Sequence, residues 1–180
     1  MFTALVPPQE VLEDLEDFLE PRRDADPAVR FTPVESWHVT TAFAGSVPEG
    51  ALARLAEALL DVANRTPAIE ASLGGAGCFP HPAAAKTLYL DVAPAEPLGR
   101  LAAACRSAFV RAGVEVDGAR FVPHLTLARM RRPIEATRWL RVLDAAPGAF
   151  WVAGELLLIE SHLHDRGNRY EVAERFALQG

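Results

Sequence analysis

The chain has 180 residues, half of them hydrophobic and 23% charged, with a net charge of −6. That length and composition suit one globular domain with a real core, and they exclude a disordered tail. The acidic balance argues against a general nucleic-acid coat, no apolar run nears the ~20 residues of a membrane span, and "MFTALVPPQE" lacks the basic region of a signal peptide, so a cytoplasmic protein is expected.

In chain order, "MFTALV" predicts a strand and "PPQEVLEDLEDFLEP" a helix, with proline near its first turn and Val11, Leu12, Leu15, Phe18 and Leu19 at helical spacing. "RFTPVESWHVTTAFAG" contains a strand centred on Val39 and ended by Gly45. A helix follows through "PEGALARLAEALLDVANR", where Leu52, Leu55, Ala56, Leu59, Leu60 and Ala63 make one apolar face. "AIEASLGGAGCFP" reads as a strand breaking into a glycine-rich loop, which "HPAAAK" continues into the strand "TLYLDVA". His81 is placed in that loop, near the entrance of a cleft. The helix "EPLGRLAAACRSAFVRAG" comes next, with Gly113 positioned as its C′ residue. After it come the strand "FVPHLTLAR", a helix around "PIEATRWLRVLDAA", and strands in "AFWVAG", "ELLLIESHL" and "RYEVAERFAL", the last two joined by a turn at "RGNR". The order is no clean β-α-β-α alternation, so the expected class is α+β with largely antiparallel sheet.

Cys78 and Cys105, the only cysteines, lie 27 apart without a CxxC spacing, so neither a disulfide framework nor a cysteine zinc site is indicated. Cys105 falls on an apolar helix face and reads as a buried free thiol. Lys86 is the only lysine; the other basic residues are arginines, which suit bidentate recognition of phosphate.

Two stretches carry polar residues where a core strand would carry Val or Ile: "SWHVTTAF" with His38 and Thr40, and "FVPHLTLAR" with His124 and Thr126. Side chains alternate along a strand, so the His and Thr of each pair share a face, roughly 6.5 Å apart, while Val39, Leu125 and Leu127 face the other way. Packing explains one such pair, but hardly two with the same spacing, each followed by a helix. Histidine exchanges protons near neutrality, so two of them across a cleft can act as base and acid at once. A threonine hydroxyl beside each can donate to an anionic oxygen. Arg129 ends the second stretch on the odd-numbered side, where a twist of the strand would bring its guanidinium to a phosphate.

"WHVTTAFAG" and "PHLTLAR", 86 residues apart from His38 to His124, resemble the two H-x-T-x signatures of the 2H phosphoesterase superfamily. More narrowly, the chain resembles the RNA 2′,3′-cyclic phosphodiesterase branch, also called the 2′-5′ RNA ligase family. "GAGCFPHP", "RFVPHLTLAR" and the closing "ESHLHDRGNRYEVAERFAL" extend that resemblance over most of the chain. It implies a bilobal fold, with two antiparallel sheets facing a central cleft and helices outside, within one domain over residues 1–180. The activity it implies is hydrolysis of a 2′,3′-cyclic phosphate at an RNA end to a 2′-phosphomonoester, with 2′-5′ joining as the reverse sense. Carried over by position, His38 and His124 are the catalytic pair, Thr40, Thr126 and Arg129 bind the phosphate, and Phe43 borders the nucleobase. His124 is assigned as the base activating water and His38 as the acid protonating O3′. Neither cofactor nor metal is implied, and a monomer without an obligate protein partner is expected.

Other readings compete. His162 and His164 alternate on a strand and, with Glu160 and Asp165, could join the motif histidines in a metal site; the resembled hairpin bears no ligands. Arg120 and Arg166 could line the cleft or lie on the surface. A 2H phosphodiesterase for another small cyclic phosphate or a 2′-5′ oligonucleotide would keep the same catalytic residues. A binding module without turnover is opposed by the presence of both histidines.

Overall fold

The computed structural model describes residues 1–164 and 167–179. Among the described residues, nine strands form two sheets: β1 (Phe2–Leu5), β3 (Val39–Phe43), β8 (Glu155–His164) and β9 (Gly167–Ala177) in one, and β2 (Arg30–Phe31), β4 (Ile69–Phe79), β5 (Ala85–Ala93), β6 (His124–Ile134) and β7 (Ala149–Ala153) in the other. The orders are β3-β1-β8-β9 and β2-β6-β5-β4-β7, and every ladder is antiparallel. The α+β class expected from the sequence is what the chain adopts.

The helices sit where apolar periodicity predicts them. In α1 (Gln9–Leu19), Val11, Leu15 and Leu19 are buried at a spacing of one turn. In α2 (Leu52–Ala63), Leu55, Leu59, Val62 and Ala63 are buried, and this helix packs on α3 (Ala95–Arg111), which in turn covers β3. Gly113, at φ +81°, ends α3: its N–H donates to Val110 and that of Val114 to Phe109, a Schellman arrangement that occupies the last carbonyls. Buried Cys105 lies on the inner face of α3, 3.6 Å from the Thr41 hydroxyl, and burial pushes its thiol up to about 11. The fourth helix, α4 (Thr137–Leu143), is shorter than its sequence suggested.

The glycine-rich stretch is a correction. "SLGGAGCF" does not break into a loop; β4 runs on to Phe79, with an irregular register between Leu73 and Ala76. Gly77 lies opposite Tyr89, and a Cβ there would fall inside the Tyr89 ring. Glycine is needed at this point of the strand for close approach, not for a turn.

Two apolar clusters result. The large one fills the space between the sheets' outer faces and the helices. A small one, Phe2, Ala4, Leu157 and Ile159 with Tyr170 against it, lies on the opposite face of the four-stranded sheet. That second face carries the site. No helix among the described residues is long and apolar enough to cross a membrane.

Candidate active site

Both motif strands contain a β-bulge at the same place. In β3, Ala4 of β1 pairs with Thr40 and Thr3 with Ala42, so Thr41 is the extra residue. In β6, Tyr89 of β5 pairs with Thr126 and Leu88 with Ala128, so Leu127 is extra. A bulge shifts the alternation by one residue. Thr41 and Ala42 are therefore both buried, as are Leu127 and Ala128, and the next residue turns back to the side of the histidine and threonine. That residue is Phe43 in one strand and Arg129 in the other. Period-two counting alone put Arg129 on the far side; the bulge places it on the face of His124 and Thr126.

The same face of the four-stranded sheet carries Phe2, which pairs with Phe43, and Tyr170. The His38 ring stacks on Phe2 at 4.7 Å and meets the edge of Tyr170 at 5.3 Å. His124 is framed in like manner, with Phe79 at 5.1 Å and Tyr89 at 5.0 Å. Each histidine thus sits between a phenylalanine and a tyrosine from other strands of its own sheet. Such half-apolar surroundings disfavour the charged ring. Burial lowers His38 to about 4, opposed by a backbone hydrogen bond at Ser36 and assisted by the charges of Arg129 and His124. Burial also lowers His124, opposed by its contact with Val122 and by the Asp91 carboxylate, and assisted by Arg129. Arg129 therefore acts on both histidines, which marks the space it shares with them. β3 and β6 meet where the two sheets come together.

His124 Nδ1 lies 2.6 Å from the Val122 carbonyl. A carbonyl only accepts, so Nδ1 carries the proton and Nε2 is the nitrogen free to take another. Asp91 is the cross-strand partner of His124, and its own carboxyl is raised, chiefly by burial. Among the described residues no carboxylate acts on His38 in the same way.

One residue links the strands. Thr32 donates its N–H to Leu127 O at 2.8 Å, and its hydroxyl lies 3.2 and 3.0 Å from the carbonyls of Thr126 and Leu127. Trp37, buried and adjacent to His38, donates Nε1 to that hydroxyl at 3.0 Å. The extra backbone exposed by the β6 bulge is thereby satisfied from the chain leading into β3.

The structure brings His38, Thr40, His124, Thr126, Arg129 and Phe43 onto facing surfaces. Arg120 and His81 are exposed. His162 lies next to Glu160 and Glu171, 3.8 Å from each, on the face of β8 opposite Ser161 and Tyr170, so it does not converge with the motif histidines. Asp165, Arg166 and the side chain of His164 lie outside the described residues; of the turn expected at "RGNR", Gly167 to Arg169 instead belong to β9 and pair with β8. Sequence reasoning missed Phe2, Phe79, Tyr89, Asp91, Tyr170 and Thr32. Alternation in "TLYLDVA" put Tyr89 and Asp91 on one face; only the pairing with β6 shows that this face is the histidine's.

Two antiparallel sheets thus each present one bulged His-x-Thr strand, with the charge of Arg129 acting on both histidines. A model of the 2′-5′ RNA ligase superfamily matches residues 7–165, and the chain belongs to that family. A Methanothermobacter thermautotrophicus protein named RNA 2′,3′-cyclic phosphodiesterase is 33% identical over 160 residues, 87% of this chain and 86% of that one. A Geobacillus stearothermophilus protein of the same name is 32% identical over 81% of this chain, which spans only 46% of that longer protein. Among solved structures, one from Thermus thermophilus superposes with a TM-score of 0.80 at 25% identity, covering 99% of this chain and 97% of that one. E. coli LigT in complex with 3′-AMP superposes at 0.78, 26% identical, with the same coverage.

Proposed function

We propose that this protein hydrolyses 2′,3′-cyclic phosphate ends of RNA to 2′-phosphomonoesters by acid–base catalysis between His38 and His124. The observation that carries this reading is the matched pair of bulged His-x-Thr strands, with Arg129 acting on both rings. The names of the relatives support the same substrate class.

In the proposed reaction the cyclic phosphate sits between the rings, held by the Thr40 and Thr126 hydroxyls and by the Arg129 guanidinium. Water attacks phosphorus and gives its proton to His124 Nε2. The Asp91 carboxylate favours the imidazolium that forms, as the aspartate of a Ser-His-Asp triad does for its base. The P–O3′ bond breaks, and O3′ takes a proton from His38. His38 takes up a solvent proton when the bound phosphate anion raises its pKa, and gives that proton to O3′ as negative charge develops there. The product is a 2′-phosphate, and proton transfer back between the rings restores the start. Joining RNA ends through a 2′-5′ linkage uses the same displacement, with a 5′-hydroxyl attacking the 2′,3′-cyclic phosphate in place of water and giving its proton to His124; cleavage of that linkage back to the cyclic phosphate is its reverse.

Phe43 is 45% exposed and borders an open depression of about 600 Å³ with Ser46 and Asp117, a seat for the terminal base beside the phosphate. The substrate being a cellular RNA end, we place the enzyme in the cytoplasm, acting without a cofactor.

The test is to incubate an oligonucleotide ending in 2′,3′-cyclic phosphate, in EDTA, and separate the products by chromatography. A 2′-phosphate is expected. A 3′-phosphate would overturn the leaving-group assignment, and an unchanged cyclic end would overturn the activity.

A further inference from the structure

A polar pair is buried directly beneath the first motif strand. Among the described residues no charged side chain is buried, and Thr3 and Thr41 are the only serines or threonines that are. Their hydroxyls lie 2.7 Å apart, with the Cys105 thiol 3.6 Å from that of Thr41. Thr41 is the extra residue of the β3 bulge, and Thr3 is the β1 residue paired with its neighbour Ala42. On either side of Thr3 stand Phe2 and Ala4, which belong to the small apolar cluster on the site's face of the sheet.

Stability alone does not account for this pair. Two buried hydroxyls bonded to each other do little better than two methyl groups of the same shape, so valine at both positions would hold the core about as well. The matching place in β6 is indeed apolar: its extra residue, Leu127, is fully buried. What differs is the support around each bulge. β6 lies between β2 and β5, and Thr32 donates to the Leu127 carbonyl from outside. β3 ends its sheet, and β1 is the one strand that pairs with it. A bulge interrupts the ladder where the register has to be held. On an end strand the tie must come from the bulged residue itself.

We infer that Thr3 and Thr41 form a positioning pair for the site. Their hydrogen bond ties the extra residue of β3 to β1 and keeps Phe43 opposite Phe2, on the side of His38 and Thr40. Continued without the bulge, β3 would set Ala42 against Phe2 and turn Phe43 to the buried side. The consequence for catalysis rests on the cyclic phosphodiesterase reading, in which Phe43 borders the terminal base. Neither threonine touches substrate; both act through Phe43.

Two kinds of variant test the pair. Thr3→Val with Thr41→Val removes both hydroxyls and keeps the shape, whereas Thr41→Ser keeps the hydroxyl and loses a methyl. KM should follow the hydroxyl and stability the packing. On an oligonucleotide ending in 2′,3′-cyclic phosphate, the double valine variant is expected to raise KM about three- to tenfold, with kcat within about twofold and a denaturation midpoint no lower than the parent's. Thr41→Ser is expected to lower the midpoint and hold KM within about twofold. In a Phe43→Ala background the two valines should cost less than about twofold further, because the residue they position is gone. A parental KM in the double valine variant would overturn the inference. So would a midpoint that falls along with KM, an equal rise in Thr41→Ser, or an undiminished cost in Phe43→Ala. The register is also read without substrate, from the nuclear Overhauser effect between the backbone protons of Phe2 and Phe43. It should weaken in the double valine variant and persist in Thr41→Ser; an unchanged effect in the former would overturn the inference. Failure of the parent to hydrolyse the cyclic end would overturn the phosphodiesterase reading, and the Overhauser comparison would then still decide on the pair.

Discussion

The two motif strands are built alike and charged differently. Each has a histidine, a threonine two residues on, a bulge, a buried alanine and then a residue returned to the histidine's side. Each histidine lies between a phenylalanine and a tyrosine. In β3 the returned residue is Phe43, and among the described residues no carboxylate acts on the ring; in β6 it is Arg129, and Asp91 lies across the strand pair. A doubled scaffold thus positions two identical side chains, while the neighbours make them unequal. In the proposed reaction the phosphate is gripped from one side and the base received on the other. There, symmetry would place the proton donor and acceptor on either side of phosphorus, and its breaking would set the direction.

The sharpest way to test that inequality is to remove each histidine in turn. His38→Ala and His124→Ala are each expected to lower kcat by about 10²- to 10⁴-fold. A substrate with sulfur at the 3′ position, whose leaving group needs no proton, should restore His38→Ala and not His124→Ala. Rescue of the other variant would exchange the two roles. Next in size, Arg129→Ala is expected to cost about 10- to 100-fold in kcat/KM, the range for a lost charge-assisted contact. Phe43→Ala should instead raise KM with little change in kcat. Equal kinetic signatures would mean that the two returned residues do the same job.

Acid stability gives a smaller and independent comparison. The folded His38 sits near 4, below the 6.5 of an exposed ring, so the unfolded chain takes the proton first. Stability should be complete above pH about 6.5, fall on acidification towards pH about 4 and level off below, with a contribution of roughly 3 kcal/mol from this ring. Chemical denaturation across that window should show a shallower slope in His38→Gln than in the parent, and a larger difference than in His124→Gln, because Asp91 offsets part of the depression of His124. Identical slopes would contradict the unequal burial. The smallest effect is expected from Asp91→Asn: about tenfold or less in kcat, with the basic group of the pH–rate profile moved to lower pH. An unmoved profile would remove Asp91 from the proton path.

Much of this was readable in the residues. The alternation of His38, Val39 and Thr40, repeated at His124, gave the two histidine and threonine pairs that the sheets bring together, and the apolar periods gave the helices to about a turn at their ends. What escaped shares one cause. A bulge adds a residue without any mark in composition, so counting by twos fails beyond Thr40 and Thr126 and misplaces Arg129. "SLGGAGCF" looked like a loop because its glycines were taken as turn residues, whereas Gly77 makes room for a tyrosine 12 positions away in the sequence. Tyr89, Asp91 and Tyr170 enter the site through strand pairing, which local sequence does not encode. Thr32 carries no signature at all; its role depends on carbonyls freed some 94 residues later.

The short run from Phe31 to His38 has a wider meaning. Its first residues complete the five-stranded sheet as β2, and a few positions later the same run delivers a histidine to the other sheet. The two halves are thus interlocked through one segment, with Trp37 and Thr32 as the rivet. Neither half can be excised or expressed alone without leaving the other short of a strand or a histidine. The gap between the rings is set by a counted length of chain, as a ruler would set it, so a one-residue insertion there should disable the enzyme more surely than a larger insertion in any surface loop.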